Sequence, residues 1–416
     1  MTVDMIWVGR LGAASIAGVG VAGIVVMLLM SARWGLGAGT RAMIARFMGS
    51  GDAKGANHIS QQAFVLSGLY AVIVATLGVI FSEELLILFG LEPEVVSEGS
   101  AYLRIQFIGS AAMSFWMMGE AIMQASGDAV NPMKVTIWAR VVHLILDPFL
   151  IFGWWIFPRM GVRGAATTNL IAYCIGMGIT LWYLFSGRSR LKLSMRKFQF
   201  DVSILWRIVK IGIPASIMGI QRSFGNLMLM WFMVPFGTLA VAAHTLCQRV
   251  EMFLFMPSMG LGMAAGVLVG QNLGAGHPER AEKSGWQATA LIEVFMITCS
   301  LLILIFAESI ISIFTPEPDL VSIGSVFLRI AVTGYMVLGL YSVLQQCLAG
   351  AGDTVSPMVV SLLMVWGIQL PLAFLLPKVT NLDVYGVRWA IVAGMLVASV
   401  IYVIYFRGGR WKRKRV

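Results

Sequence analysis

The chain has 416 residues, of which 58% are hydrophobic and only 12% charged, and its net charge is +10. A soluble domain carries about 25% charged residues. Apolar runs of roughly 20 residues, enough to cross a bilayer as helix, recur here, so composition excludes a soluble globular protein. A β-barrel, which would show short alternating segments, is excluded as well. Two places supply 11 of the 30 Lys and Arg: GRSRLKLSMRK (Arg188, Arg190, Lys192, Arg196, Lys197) and RGGRWKRKRV (Arg407, Arg410, Lys412 to Arg415). Basic segments beside membrane spans stay cytoplasmic and are attracted to anionic lipid heads, so the charge is no nucleic-acid footprint. The four cysteines (Cys174, Cys247, Cys299, Cys347) are scattered in apolar stretches, and neither zinc site nor disulfide framework is indicated.

In chain order, MTVDMIWVGRLG puts Asp4 at the head of an apolar stretch that Gly9 and Gly12 stop. GLG at 35–37 permits close helix approach, and Ala63 to Phe81 is a full span. An acidic segment, 82–98, follows. The fourth helix carries Glu120 and Gln124 one turn apart, and the fifth, over 134–156, carries His143 and Asp147 in HLILDPFLIFG. The sixth carries Thr168 and Asn169. After the basic segment, hydropathy predicts six spans: 206–234, 239–270, 285–307, 322–348, 357–377 and 387–406.

An internal repeat organises these elements. FSEELLILFGLEPEVVSEGSAYLRIQFIG (81–109) aligns with FAESIISIFTPEPDLVSIGSVFLRIAVTG (306–334) at an offset of 225, with 13 of 29 positions identical. The same offset pairs GDAVNPM (127–133) with GDTVSPM (352–358), GVRGA (161–165) with GVRWA (386–390), and GLG (35–37) with GLG (260–262). An even number of spans per repeat makes both halves enter the membrane in the same direction, so the expected architecture is two parallel-repeat six-helix lobes about a pseudo-twofold axis along the membrane normal. The expected divisions are an N-terminal lobe at 1–186, a cytoplasmic basic linker at 187–203, a C-terminal lobe at 204–406 and a basic cytoplasmic tail at 407–416. Position 1 matches Asn226, already inside the seventh span. The expectation is therefore 11 complete spans plus a remnant of a first helix, the sequence being truncated or its start misassigned.

Ionisable groups at membrane depth are costly and usually functional. Asp147 precedes Pro148, which removes a backbone donor and frees a carbonyl. His143 lies four residues earlier, so imidazole and carboxylate share a helix face. At the repeat offset Asp4, His143, Asp147 and Glu120 face Leu229, Ile368, Leu372 and Gln345, which assigns the ion chemistry to the first half. Arg249 and Glu251 sit within helix eight, and Glu293 is mid-span in helix nine. A buried His–Asp pair that only fastens helices is the structural alternative for Asp147. Helix packing is the alternative for Glu120, Gln124, Thr168, Asn169 and Glu251.

VDMIWVGRLGAASIAG, ASGDAVNP, ILDPFLIFG with GVRGAA, and VAAHTLCQRVEMF running into VLVGQNLGAGHPERA together resemble the multidrug and toxic compound extrusion (MATE) transporters. The resemblance covers essentially the whole chain. It implies two six-helix lobes, a cavity that opens alternately to either side, and export of cationic or amphipathic xenobiotics in exchange for H⁺ or Na⁺. It implies cation coupling at Asp4 and Asp147 in the first lobe, where Na⁺ could also bind. A helix-five Asn of some relatives falls at or near His143, a departure that bears on the ligand set. Glu120, Gln124, Thr168, Asn169 and Glu251 are further candidate polar residues of the cavity.

The expected setting is the plasma (inner) membrane, multi-pass, with a cytoplasmic C-terminus. The expected partners are a small-molecule xenobiotic and the lipid bilayer. The expected state is a monomer without nucleic acid, without cofactor and without a firmly assigned metal. No HExxH, DxxD-type cluster or GxSxG occurs, so the chain reads as no enzyme. The competing reading is a lipid-linked precursor flippase, ranked lower because the clearest arginines, Arg249 apart, lie near span ends or in loops.

Overall fold

The computed structural model describes residues 7–196 and 198–414. Helices follow one another through short connections, and no strand occurs among the described residues. In chain order they are α1 Ala13–Gly49, α2 Ala53–Ile80, the short α3 Ser82–Ile87, α4 Pro93–Ala125, α5 Val130–Phe152, α6 Val162–Ser186, α7 Val202–Met233, α8 Thr238–Gly274, α9 Pro278–Ser312, α10 Pro318–Gly350 and α11 Val355–Leu362. A π-helical turn, Leu363–Gln369, then continues into α12 Leu370–Val379, and α13 Val384–Arg407 follows. Among the described residues ten helices are long and apolar enough to cross a membrane, Val355–Val379 counting as one. The chain is a multi-pass α-helical membrane protein. α4 is as long as these but carries Arg104, Gln106 and Glu120.

Helices overrun the apolar runs that predict them. α9 begins at Pro278 rather than 285, because Pro278 supplies a helix start and PERAEKS continues the backbone ladder beyond the apolar stretch. α5 ends at Phe152 rather than 156, because Gly153 takes a left-handed conformation (φ 74°) that stops it.

The chain divides into two compact units, one of Met1–Ile44 with Asp52–Gly212 and one of Ala45–Gly51 with Ile213–Val416. The 225-residue repeat is visible in the local geometry of both. Pro93 and Pro318 open α4 and α10. Gly51 and Gly276 have φ of 78° and 77°, and Gly127 and Gly352 have 91° and 85°, values open to glycine at least cost. The Asp after each of the latter glycines accepts a bond from the amide three residues on: Asn131 N to Asp128 at 3.1 Å and Ser356 N to Asp353 at 3.4 Å. Arg104 pairs with Glu83 at 3.1 Å, and Arg329 pairs with Glu308 at 3.0 Å. Phe81 (φ −97°) separates α2 from α3, while its equivalent Phe306 (φ −104°) bends α9 without ending it.

One difference between the halves starts at a single backbone position. α6 begins after Gly161 (φ 56°, ψ −131°). α13 begins after Asp383 (φ 50°, ψ −136°), a nearly identical geometry three residues earlier in the repeat. Arg163 is therefore the second residue of α6, whereas its equivalent Arg388 lies a turn deeper in α13. A non-glycine residue held there stores about 1–3 kcal/mol of strain. Asp383→Gly is expected to stabilise the protein by about 1 kcal/mol once the extra freedom of glycine in the unfolded chain is deducted. Thermal unfolding of the purified variant checks this, and an unchanged or lower midpoint contradicts it.

The 187–203 segment is tied to the first unit by polar groups of α2. Asn57 donates to the Ser194 carbonyl (3.1 Å) and accepts from the Ser194 amide (2.9 Å), and Gln61 donates to the same carbonyl. Gln62 donates to the Gln199 carbonyl at 2.6 Å, Leu191 and Leu193 are buried, and His58 lies 3.6 Å from Asp201. Asp201 caps α7, and its carboxyl is held below the ordinary range, foremost by the Ile204 amide and further by the Ser203 amide and His58. Within the second unit the C-terminal segment is also folded. Trp411 is buried, stacks on Phe406 at 4.6 Å and donates to its carbonyl, while Lys412 pairs with Glu282 and Lys414 with Asp353.

Candidate functional site

α5 brings His143 and Asp147 together. His143 Nε2 lies 3.8 Å from Asp147 Oδ1, and the two residues are 3% and 0% exposed. The one-turn spacing sets this proximity, since side chains four apart on a helix stack over one another. Pro148 lacks an amide, which leaves the Leu144 carbonyl without its usual donor. The helix stop at Gly153 places Asp147 five residues from the end of α5, roughly 8 Å at the rise of a helix, closer to that end than the 134–156 assignment implied. A carboxylate buried in an apolar helix bundle gains from being neutralised by a proton or matched by a cation.

Glu120 of α4 accepts a 2.7 Å bond from Thr136 Oγ1 of α5. Gln124 is half-buried one turn further along α4. Thr168 and Asn169 on α6 are buried and bond back to their own helix, Thr168 Oγ1 to the Gly164 carbonyl at 2.9 Å and Asn169 Nδ2 to the Ala165 carbonyl at 3.2 Å. Asp4 lies outside the described residues. Among the described residues no group of three His, Cys, Asp or Glu side chains converges in a way that could hold a metal ion.

The second unit contains a charged cluster that sequence reasoning named only through Glu251. Arg388 of α13, 1% exposed, donates from Nη2 to Glu251 Oε1 of α8 at 2.8 Å. Tyr335 of α10 donates to the same oxygen at 3.1 Å, and Arg388 Nη1 lies 3.2 Å from Nδ1 of the buried His244. In the first unit the buried Arg33 of α1 donates to Ser114 Oγ at 3.0 Å and sits 5.4 Å from the Tyr70 ring centre. These two arginines correct the expectation that the clearest ones, Arg249 apart, lie near span ends or in loops. Arg33 and Arg388 are buried among helices, and Arg249 is exposed. Arg388 reads as a span-end residue because the predicted span begins at 387, and the start of α13 at Val384 carries it inward. One signal for the pair was available: at the repeat offset Glu251 faces Val26, so a carboxylate was added in the second half alone.

The family model MatE matches residues 1–149 and 214–375. A probable multidrug resistance protein NorM of Thermotoga maritima is 28% identical over 416 residues, covering 99% of this chain and 89% of that protein. An FAD transporter of Shewanella oneidensis is 27% identical over 376 residues, covering 89% and 82%. A solved outward-facing conformation of a multidrug resistance MATE family transporter of the MOP superfamily matches with a TM-score of 0.92 at 24% identity, over 99% of this chain and 92% of that one, and carries the fold. A crystal structure of MATE in the bent conformation matches with a TM-score of 0.88 at 25% identity, over 98% and 90%. With most of its length matched by the family model and its helices laid out as in these solved transporters, the chain belongs to the MatE family of multidrug efflux transporters.

Proposed function

We propose that the chain exports cationic or amphipathic xenobiotics by antiport against H⁺ or Na⁺, with alternating access. The observation that carries this reading is the buried His143–Asp147 pair beside Pro148. Asp147, joined by Asp4, takes up a proton or Na⁺ while open to the outside. Neutralisation removes the negative charge that holds a cationic drug, and the drug leaves. The unit then reorients, and the ion is lost on the cytoplasmic side. The coupling is a difference in affinity between two states, not a push. In this reading the chain works as a monomer in the plasma membrane, with the 187–203 segment and the C-terminus in the cytoplasm.

A second reading, export of an organic anion, has one feature in its favour: Arg33 is buried in the first unit with a hydroxyl and an aromatic face beside it. The Shewanella FAD transporter is a relative of that kind. An efflux-deficient host expressing the chain is expected to accumulate less ethidium than an empty-vector strain, and the difference is expected to vanish with a protonophore or on sodium removal. Equal ethidium accumulation combined with flavin release into the medium supports the anion reading instead. Equal accumulation without flavin release overturns both.

A further inference from the structure

We propose that a cavity in the first unit, at the end opposite the 187–203 segment, binds the phosphodiester headgroup of a membrane phospholipid. The cavity has a volume of about 690 Å³, and its lining includes Glu83, Ile87, Leu91, Ser100, Arg104 and Arg163. Its walls thus mix aliphatic side chains with two serine hydroxyls, two guanidinium groups and one carboxylate. Glu83 is already paired with Arg104. The surplus positive charge is Arg163, which has no ion-pair partner among the described residues.

The internal repeat shows what that surplus means. The equivalent arginine of the second unit, Arg388, is drawn inward and neutralised by Glu251. The first unit lacks both causes. α6 starts a turn later than α13, and Val26 stands where Glu251 would be. A guanidinium in a partly apolar cavity whose one lining carboxylate, Glu83, is already paired with Arg104 is a receptor for a planar or tetrahedral oxyanion, which it binds through paired N–H donors.

The surroundings favour a lipid over a soluble anion. Leu88 is 83% exposed beside Ile87 and Phe89, and on the loop running into α6 Trp155 is 91% exposed beside Trp154 and Ile156. Exposed aromatic and aliphatic side chains at one end of a helical membrane unit mark the bilayer interface. Glu84, Glu92, Glu94 and Glu98 lie on the same end and disfavour a free multivalent anion. A phospholipid overcomes that field because its acyl chains pack on the apolar rim while one phosphate charge meets Arg163.

The test is native mass spectrometry of the full chain released from vesicles of palmitoyl-oleoyl phosphatidylethanolamine and phosphatidylglycerol. The wild type is expected to retain a phospholipid that Arg163→Gln binds about tenfold more weakly. Arg163→Lys is expected to retain part of it, and Arg329→Gln, on the equivalent exposed ion pair of the second unit, all of it. Arg163 is exposed, so thermal unfolding of Arg163→Gln is expected to match the wild type. Equal lipid retention by the wild type and Arg163→Gln overturns the proposal. So does displacement of the lipid by millimolar glycerol 3-phosphate, which would make this a soluble-anion site.

Discussion

Asp147→Asn is expected to reduce ion-driven drug export to the level of a vesicle without protein, while the variant inserts and folds as the wild type does. Asn keeps the volume and a polar tip but neither titrates nor binds a cation by charge. The 0% exposed carboxylate is exchanged for a neutral amide, and burying a neutral polar group costs less than burying a charge, so stability is expected to change by less than about 1 kcal/mol or to rise. The alternative role, a His–Asp pair that only fastens helices, has the opposite signature. Breaking a buried ion pair costs about 3–5 kcal/mol, and a purely structural Asp147 would show that loss with residual coupled export. Transport and thermal unfolding measured on the same preparation separate the two. Asp147→Glu, which keeps the charge and lengthens the arm, is expected to retain part of the export.

Glu251→Gln is expected to be among the most destabilising single substitutions in the second unit. Arg388 is almost wholly buried and cannot shed its charge. Removal of its carboxylate leaves a guanidinium in an apolar bundle, with Tyr335 and His244 beside it and no carboxylate to pair with. The expected loss is about 3–5 kcal/mol. Arg388→Met is expected to cost less, because Glu251 remains half-buried and keeps its Tyr335 bond. The double variant Glu251→Leu with Arg388→Met is expected to recover most of the loss, since a buried pair often breaks even against apolar residues of similar size. A double-mutant cycle of Glu251→Leu and Arg388→Met, with each single variant measured beside the double by chemical or thermal unfolding, gives the coupling. Additive single effects would show that the pair contributes no interaction of its own.

The distinction between what could be read from the sequence and what could not follows the range of each interaction. The His143–Asp147 proximity was legible because it depends only on helix geometry over four residues. The repeat was legible as a register, and the structure carries it into paired ion bridges, paired glycine turns and paired proline starts. The Glu251–Arg388 bond joins residues 137 apart, and no local pattern reports it. The end of the fifth helix falls four residues earlier than predicted because hydropathy does not see that Gly153 adopts a left-handed turn. NHISQQ at 57–62 shows in the sequence only as polar residues ahead of the apolar run from Ala63, yet its amides hold the connecting segment. The position of Asp4 falls outside the described residues, so its partnership with Asp147 rests on the resemblance and on the mechanism proposed for it.

The central claim is that export is driven by an ion gradient acting through Asp147. Its most direct test is uphill movement of ethidium in proteoliposomes under an imposed pH or sodium gradient. With the wild type, one pH unit and one proton exchanged per drug should concentrate the drug about tenfold, since a pH unit is worth 1.36 kcal/mol. Under whichever gradient drives it, dissipating that gradient should collapse the accumulation, and Asp147→Asn should show none. Uphill movement by Asp147→Asn equal to that of the wild type, or wild-type movement indifferent to both gradients, would contradict the account.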